Sequence, residues 1–233
     1  MRHALAAVFA AAAITAIPAV ASATNYNVHV HGRTQTTWDD TWWTESWGTN
    51  VKCDYEAKYN TLAQSNVTVR ACLATYCTGS NSCKIIAYSN GNNQVQFTQT
   101  YYPSSLTNLV YVEAGSSAAG GSQLADVAAP IQNFLDWFGI GFEVYYPTGV
   151  DATLSVSGAR GAYNHNVNNG KTTYHTMGNT NAGNGLWWLT AGILSGDDDG
   201  VVGYDSGFGC SSSGSQSSTC SKWQGHVSDT YCT

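Results

Sequence analysis

Ser89 stands in Ile85-Ile86-Ala87-Tyr88-Ser89-Asn90-Gly91, where an apolar run breaks into small-x-Ser-x-Gly. A serine on a sharp turn between strand and helix exposes its hydroxyl at the strand end, and small residues two positions to either side let the turn close without clashes. Such a hydroxyl is a weak nucleophile. It needs a base to take its proton, and backbone N–H groups aimed at the oxyanion that develops on the attacked carbonyl. The chemistry would be acyl transfer, and the chain must also supply a carboxylate to orient the base. Ser-Asn-Gly is an ordinary turn sequence as well, so the other parts decide between the two.

Those parts occur in a consistent order. His31-Gly32 closes the alternating segment Asn25 to His31, so the Arg33 amide would be one oxyanion donor and the Asn90 amide, directly after the serine, the other. A plain strand-end turn is the competing account of His31-Gly32. Gly196-Asp197-Asp198-Asp199-Gly200-Val201-Val202 places carboxylates in a turn after an apolar segment, where an aspartate can orient a histidine and stabilise its imidazolium form. A calcium loop or a solvated acidic turn is the alternative there. His226 is the only histidine downstream of Asp199 and therefore the only one that satisfies the chain order serine, aspartate, histidine.

The elements that must hold these residues are visible in the hydrophobic pattern. Asn25 to His31 and Val51 to Tyr55 read as strands, Leu62 to Cys77 as a helix, and Cys83 to Ala87 as a buried strand. Residues 92–102 are helix-compatible, and Leu109 to Val112 forms another strand. Trp38, Trp42 and Trp47 recur as on one helix face. Alternating strands and helices predict an α/β fold with a mostly parallel, doubly wound sheet and helices on both faces. From about Gly139 to Gly185 the pattern weakens into Gly, Asn, Thr and Tyr, which reads as loops with one strand at Thr172 to Met177.

Residues 1–23 combine Arg2 and His3 with an apolar run and end in Ala21-Ser22-Ala23, the form of a signal peptide cleaved after Ala23. The expectation is an exported protein whose single domain spans 24–233, with no stable membrane anchor. The formal net charge of −6 and the absence of a basic run argue against nucleic acid and anionic membranes as partners. Seven cysteines fit an oxidising compartment. Their spacings offer no C-x-x-C and no histidine pair for zinc. The short turn-forming loop Thr78-Gly79-Ser80-Asn81-Ser82 predicts a disulfide between Cys77 and Cys83, and the serine-rich loop between Cys210 and Cys220 predicts a second. An odd number leaves one thiol free, paired between chains, or without its partner.

The blocks VHVHGR, IIAYSNG, GSSAAGGSQLAD, DDDGVV and the late Gly225-His226 together resemble the secreted bacterial lipase and esterase branch of the α/β-hydrolase family. Carried over by position, the resemblance implies Ser89 as nucleophile, Asp199 as acid and His226 as base, acting on ester substrates in a monomer. Two positions depart from the family pattern: Tyr88 stands where a histidine is usual, and Ala87 where a glycine is. Many relatives carry a structural calcium near the late histidine; only Asp229 suggests one here, and the expectation is no metal and no cofactor. Trp42 and Trp43, close after the His31-Gly32 loop, are candidates to border an acyl pocket, against helix packing as the ordinary role of such a cluster. The alternative from another class is a catalytically inactive hydrolase scaffold that binds a polymer or carbohydrate through exposed aromatic rings. Such a protein would not need nucleophile, acid, base and both oxyanion positions in order.

Overall fold

In the computed structural model, which describes residues 22–33, 47–126, 149–163, 167, 169–176 and 202–207, the apolar runs form one parallel sheet. Its strands are β1 (Asn25–Val30), β2 (Thr49–Lys52), β3 (Ser82–Tyr88), β4 (Leu109–Gly115) and β5 (Thr172–Thr176), in the order β2-β1-β3-β4-β5. In-register residues of neighbouring strands point to the same face. Val28, Ile85, Val112 and Thr173 therefore make one row, and Val30, Ala87, Ala114 and His175 the next. Both rows are buried. Lys84 interrupts the apolar run of β3, and its ammonium lies 5.1 Å from the centre of the Trp47 ring and 4.8 Å from that of Tyr111, a cation–π arrangement that keeps a charge tolerable against the sheet.

Two helices cover this face. In α1 (Leu62–Tyr76) the start is set by a capping box: Thr61 N–H donates to Gln64 Oε1 (2.9 Å), and Gln64 N–H donates to Thr61 Oγ1 (3.3 Å). Leu62, Ser65, Asn66, Val69 and Leu73 form its buried stripe. The helix ends at Cys77, which is bonded to Cys83 as expected. A second disulfide, Cys53–Cys72, joins the chain after β2 to α1 and was not foreseen; Cys210 and Cys220 lie outside the described residues. The other helix, α2 (Asn90–Tyr101), buries an unusually polar sequence. Polar contacts tie it to its surroundings: Asn66 Nδ2 of α1 donates to the Gln94 carbonyl and to Thr98 Oγ1, both at 2.9 Å, and Gln96 Nε2 donates to the Val167 carbonyl at 2.9 Å.

Three expectations need correction or qualification. The second strand pairs over Thr49–Lys52 rather than Val51 to Tyr55, because Cys53, Tyr55 and Ala57 turn into the core beyond the ladder. The region expected to be loops does contain the strand β5, but it also holds a 3-10 turn at Val150–Thr153 and a helix at Val156–Ala162. That helix is capped by Ser155, whose Oγ accepts from Gly158 N–H at 2.9 Å, and its glycines hide it from a propensity reading. Trp38, Trp42 and Trp47 were expected on one helix face; Trp47 lies in a bend before β2, outside any helix, and Trp38, Trp42 and Trp43 lie outside the described residues, as do residues 1–21. Among the described residues no helix is long and apolar enough to cross a membrane.

His175, fully buried on β5, has its pKa lowered to about 3 by desolvation. The unfolded chain takes up a proton near pH 6.5 that the folded protein refuses until about pH 3, so this contribution to stability is complete above about pH 6.5 and is lost as pH falls through that window. Between pH 7 and pH 5 the wild type should lose about 2 kcal/mol through this group, read from urea midpoints. His175→Gln should show a shallower pH dependence, and parallel curves for the two proteins would show that His175 is not the cause.

Candidate active site

Strand order reverses direction between β1 and β3. The chain steps from β1 outward to β2, then crosses back past β1 to β3 and continues to β4 and β5. In open parallel sheets, ligands bind outside the carboxyl ends of the strands at such a reversal. The loops that leave those two ends are His31-Gly32-Arg33 and Ser89-Asn90, and the pairing of Val30 with Ala87 sets them side by side.

Ser89 adopts φ 49° and ψ −120° at the junction of β3 and α2. A non-glycine residue in this region carries strain of about 1–3 kcal/mol that the surroundings must offset. Here Ser89 N–H donates to the Gly115 carbonyl at 3.0 Å, and the Ser89 carbonyl accepts from Ala118 N–H at 3.3 Å. Asn92 Nδ2 brackets the turn, with the carbonyls of Ala87 and Ser89 each at 3.2 Å and that of Gly115 at 3.3 Å. Space requires glycine at 91 and makes position 32 tight. A Cβ on Gly91 would lie 2.3 Å from the Val30 carbonyl oxygen, and one on Gly32 would lie 3.1 Å from Ser89 Cβ.

The loop after β1 is fixed by its own buried contacts. Tyr55 N–H donates to His31 Nε2 at 3.2 Å, so Nδ1 carries the proton and donates to the Gly32 carbonyl at 2.8 Å. Desolvation lowers the His31 pKa and keeps the ring neutral, the form that this pair of bonds requires. The Tyr55 ring stacks on the imidazole at 4.3 Å, its hydroxyl donates to the His31 carbonyl at 2.8 Å, and that hydroxyl accepts from Asn90 Nδ2 at 3.1 Å. Arg33 is held from the other side by a bidentate ion pair: its Nε binds Asp151 Oδ1 and its second guanidinium nitrogen binds Asp151 Oδ2 at 2.6 Å.

The structure thus brings together Ser89, Asn90 and Arg33. Trp42, Trp43, Asp199 and His226 lie outside the described residues. Asn92, Tyr55 and Asp151 were missed by sequence reasoning. An asparagine in the first turn of a buried helix was the available signal for Asn92; nothing local marked Tyr55 or Asp151, whose partners lie far away in the chain.

No protein-family model matches the sequence, and no curated protein matches it either. Solved structures do. The mature form of the Bacillus licheniformis lipase BlEst2 superposes with a TM-score of 0.62 at 19% identity over 83% of each chain. The metagenomic carboxyl esterase MGS0156 gives a TM-score of 0.58 at 16% identity, covering 78% of this chain and 60% of that one. Phospholipase PlaB from Legionella pneumophila gives 0.53 at 15%, covering 79% of this chain and 45% of that one. The chain has the α/β-hydrolase fold, and solved structures that share it include lipases and esterases.

Asp151 is almost entirely buried while Arg33 keeps one edge in solvent, so removing the carboxylate charge leaves a partly desolvated guanidinium. Asp151→Asn should destabilise the protein by about 2 kcal/mol in urea unfolding. An unchanged midpoint would show that the pair contributes nothing to holding the loop.

Proposed function

We propose that this protein hydrolyses carboxylic esters through an acyl-enzyme on Ser89. The observation that carries the proposal is the strained backbone of Ser89 at the strand-order reversal, packed closely against Gly32 of the loop after β1. Backbone strain held this firmly at the carboxyl end of a parallel sheet is characteristic of functional sites. Ser89 Oγ attacks the ester carbonyl as His226 takes its proton. The tetrahedral oxyanion is held by the amides of Arg33 and Asn90. The Asn90 amide opens α2, where N–H groups lack a carbonyl one turn back and the helix dipole favours negative charge. Collapse returns the proton from His226 to the leaving alkoxide, and water then releases the acid by the same steps in reverse roles. Asp199 orients His226.

What supports the aspartate is the anchoring of the chain soon after it. Gly120 N–H donates to the Ser206 carbonyl at 2.9 Å, and Ser206 Oγ binds the Gly121 carbonyl. This same loop carries Ala118, whose amide binds the Ser89 carbonyl. Trp42 and Trp43 would border the acyl group. Two disulfides fit an oxidising compartment, in keeping with export after cleavage of residues 1–23.

Ser89→Ala should abolish hydrolysis of short-chain nitrophenyl esters and labelling by a fluorophosphonate, while the far-UV spectrum and melting temperature stay close to wild type. Retained hydrolysis would remove Ser89 from the mechanism. Wild-type protein that neither hydrolyses esters nor labels, but binds an insoluble polymer, would favour the inactive scaffold. Among the three adjacent carboxylates, Asp199→Asn should lower kcat by on the order of 10⁴-fold, with Asp197→Asn and Asp198→Asn mild; the reverse ranking would reassign the acid.

A further inference from the structure

The contacts of Tyr55 reach both loops at the strand-order reversal and no other element of the site. Its hydroxyl stands between the two, donating to the His31 carbonyl on one side and accepting from Asn90 Nδ2 on the other. Its backbone N–H and its ring hold the imidazole of His31, which in turn holds the Gly32 carbonyl. The residues on either end of this chain of bonds are the neighbours of the two amides that would bind the oxyanion: His31-Gly32 leads into Arg33, and Asn90 supplies the second amide itself.

We infer that Tyr55 is a positioning residue that sets the separation of the two oxyanion donors by tying the loop after β1 to the first residue of α2. The inference rests on Ser89 being the nucleophile. Three observations favour positioning over mere filling of the core. The hydroxyl, although buried, spends both its donor and an acceptor site on the two loops and on nothing else that touches the core. Burial pushes the phenol pKa up, so the hydroxyl keeps its proton and remains a donor through the neutral range. Tyr55 is itself held from behind: Cys53, two residues earlier, is bonded to Cys72 of α1, and its N–H donates to the His29 carbonyl at 2.8 Å. A group that must hold others to within about half an ångström has to be locked in this way.

Tyr55→Phe keeps the ring stacked on His31 and removes the hydroxyl. Loss of an oxyanion donor costs on the order of 100- to 1000-fold in kcat; loss of a residue that aims the donors should cost less, on the order of 10-fold, with KM for a nitrophenyl ester nearly unchanged. The readout that separates positioning from folding is affinity for a trifluoromethyl ketone. Its carbonyl takes the Ser89 oxygen to form a tetrahedral adduct with an alkoxide in the donor site, as the serine proton passes to the base. Its Ki should rise in proportion to the fall in kcat, with kcat referred to sites titrated by fluorophosphonate. Asn90→Ala, which removes the other end of the link but keeps the backbone amide, should act in the same direction, and the double variant should be no worse than the more damaging single one. Unchanged kcat per titrated site in Tyr55→Phe, or a change in KM alone, overturns the inference while leaving Ser89 in place. If Tyr55→Phe does not fold, Asn90→Ala decides by the same measurements. Hydrolysis that survives Ser89→Ala would instead fail the proposed reaction, and with it the ground on which Tyr55 was assigned.

Discussion

The parallel pairing of β1 with β3 places Val30 opposite Ala87; β1 ends there, and β3 runs one residue further, to Tyr88 paired with Gly115, before it turns into Ser89. Everything at the carboxyl edge follows from that register. Gly91 fits against the Val30 carbonyl only because the first turn of α2 passes directly over the end of β1, and Gly32 fits against Ser89 for the same reason. A slip of one residue would turn every side chain of the strand to the opposite face. It would also drive the α2 backbone away from the loop that it touches. The small residues are consequences of the register: at Gly91 two backbones approach so closely that no Cβ can be accommodated, and at Gly32 a Cβ would be tight against the side chains of Tyr88 and Ser89.

Close approach brings a second requirement, because it leaves polar backbone groups without the partners that a regular strand or helix would give them. Around Ser89 these are supplied from the sides, by the end of β4, by Ala118 and by the Asn92 amide. A buried amide group without a partner costs roughly 1–3 kcal/mol, which is comparable with the strain of the serine backbone. The bonds that satisfy the turn are therefore of the right size to hold it in a conformation that the chain would otherwise leave. The polar character of α2 has the same origin. Its side chains bond to carbonyls of the serine turn through Asn92, to Val167 through Gln96, and to Asn66 of α1 through Gln94 and Thr98, in addition to filling space.

Legibility in the sequence follows from how local each determinant is. The strands β1, β3 and β4 are local, β3 because burial on both faces writes itself as an apolar run and β1 because Tyr26, Val28 and Val30 alternate with polar residues, and so is α1, with its Thr61 and Gln64 cap. The serine turn and the Cys77–Cys83 bridge are set by residues a few positions apart and were readable for that reason. The extent of β2 was not, because the alternation at Cys53, Tyr55 and Ala57 records burial that continues after the ladder stops. The helix at Val156–Ala162 escaped notice because Gly158, which a propensity scale penalises, is demanded by contact: a Cβ there would lie 1.9 Å from the Ala152 carbonyl oxygen. Cys53–Cys72 required knowing that the chain after β2 returns along α1.

The ties that fix the candidate site are those with the longest reach in sequence. Tyr55 is 24 residues from His31 and 35 from Asn90, and Asp151 is 118 from Arg33. Loop-closure entropy grows only with the logarithm of separation, so such contacts remain affordable in the finished fold. They cannot form until the intervening sheet has formed, because nothing local holds their partners together. The strained serine turn depends on those same distant groups and on Gly115 and Ala118. A chain with native-like helices but an incomplete sheet would therefore have neither the turn nor the loop beside it in position, and the geometry of the site becomes a property of the whole fold rather than of the motif that announces it.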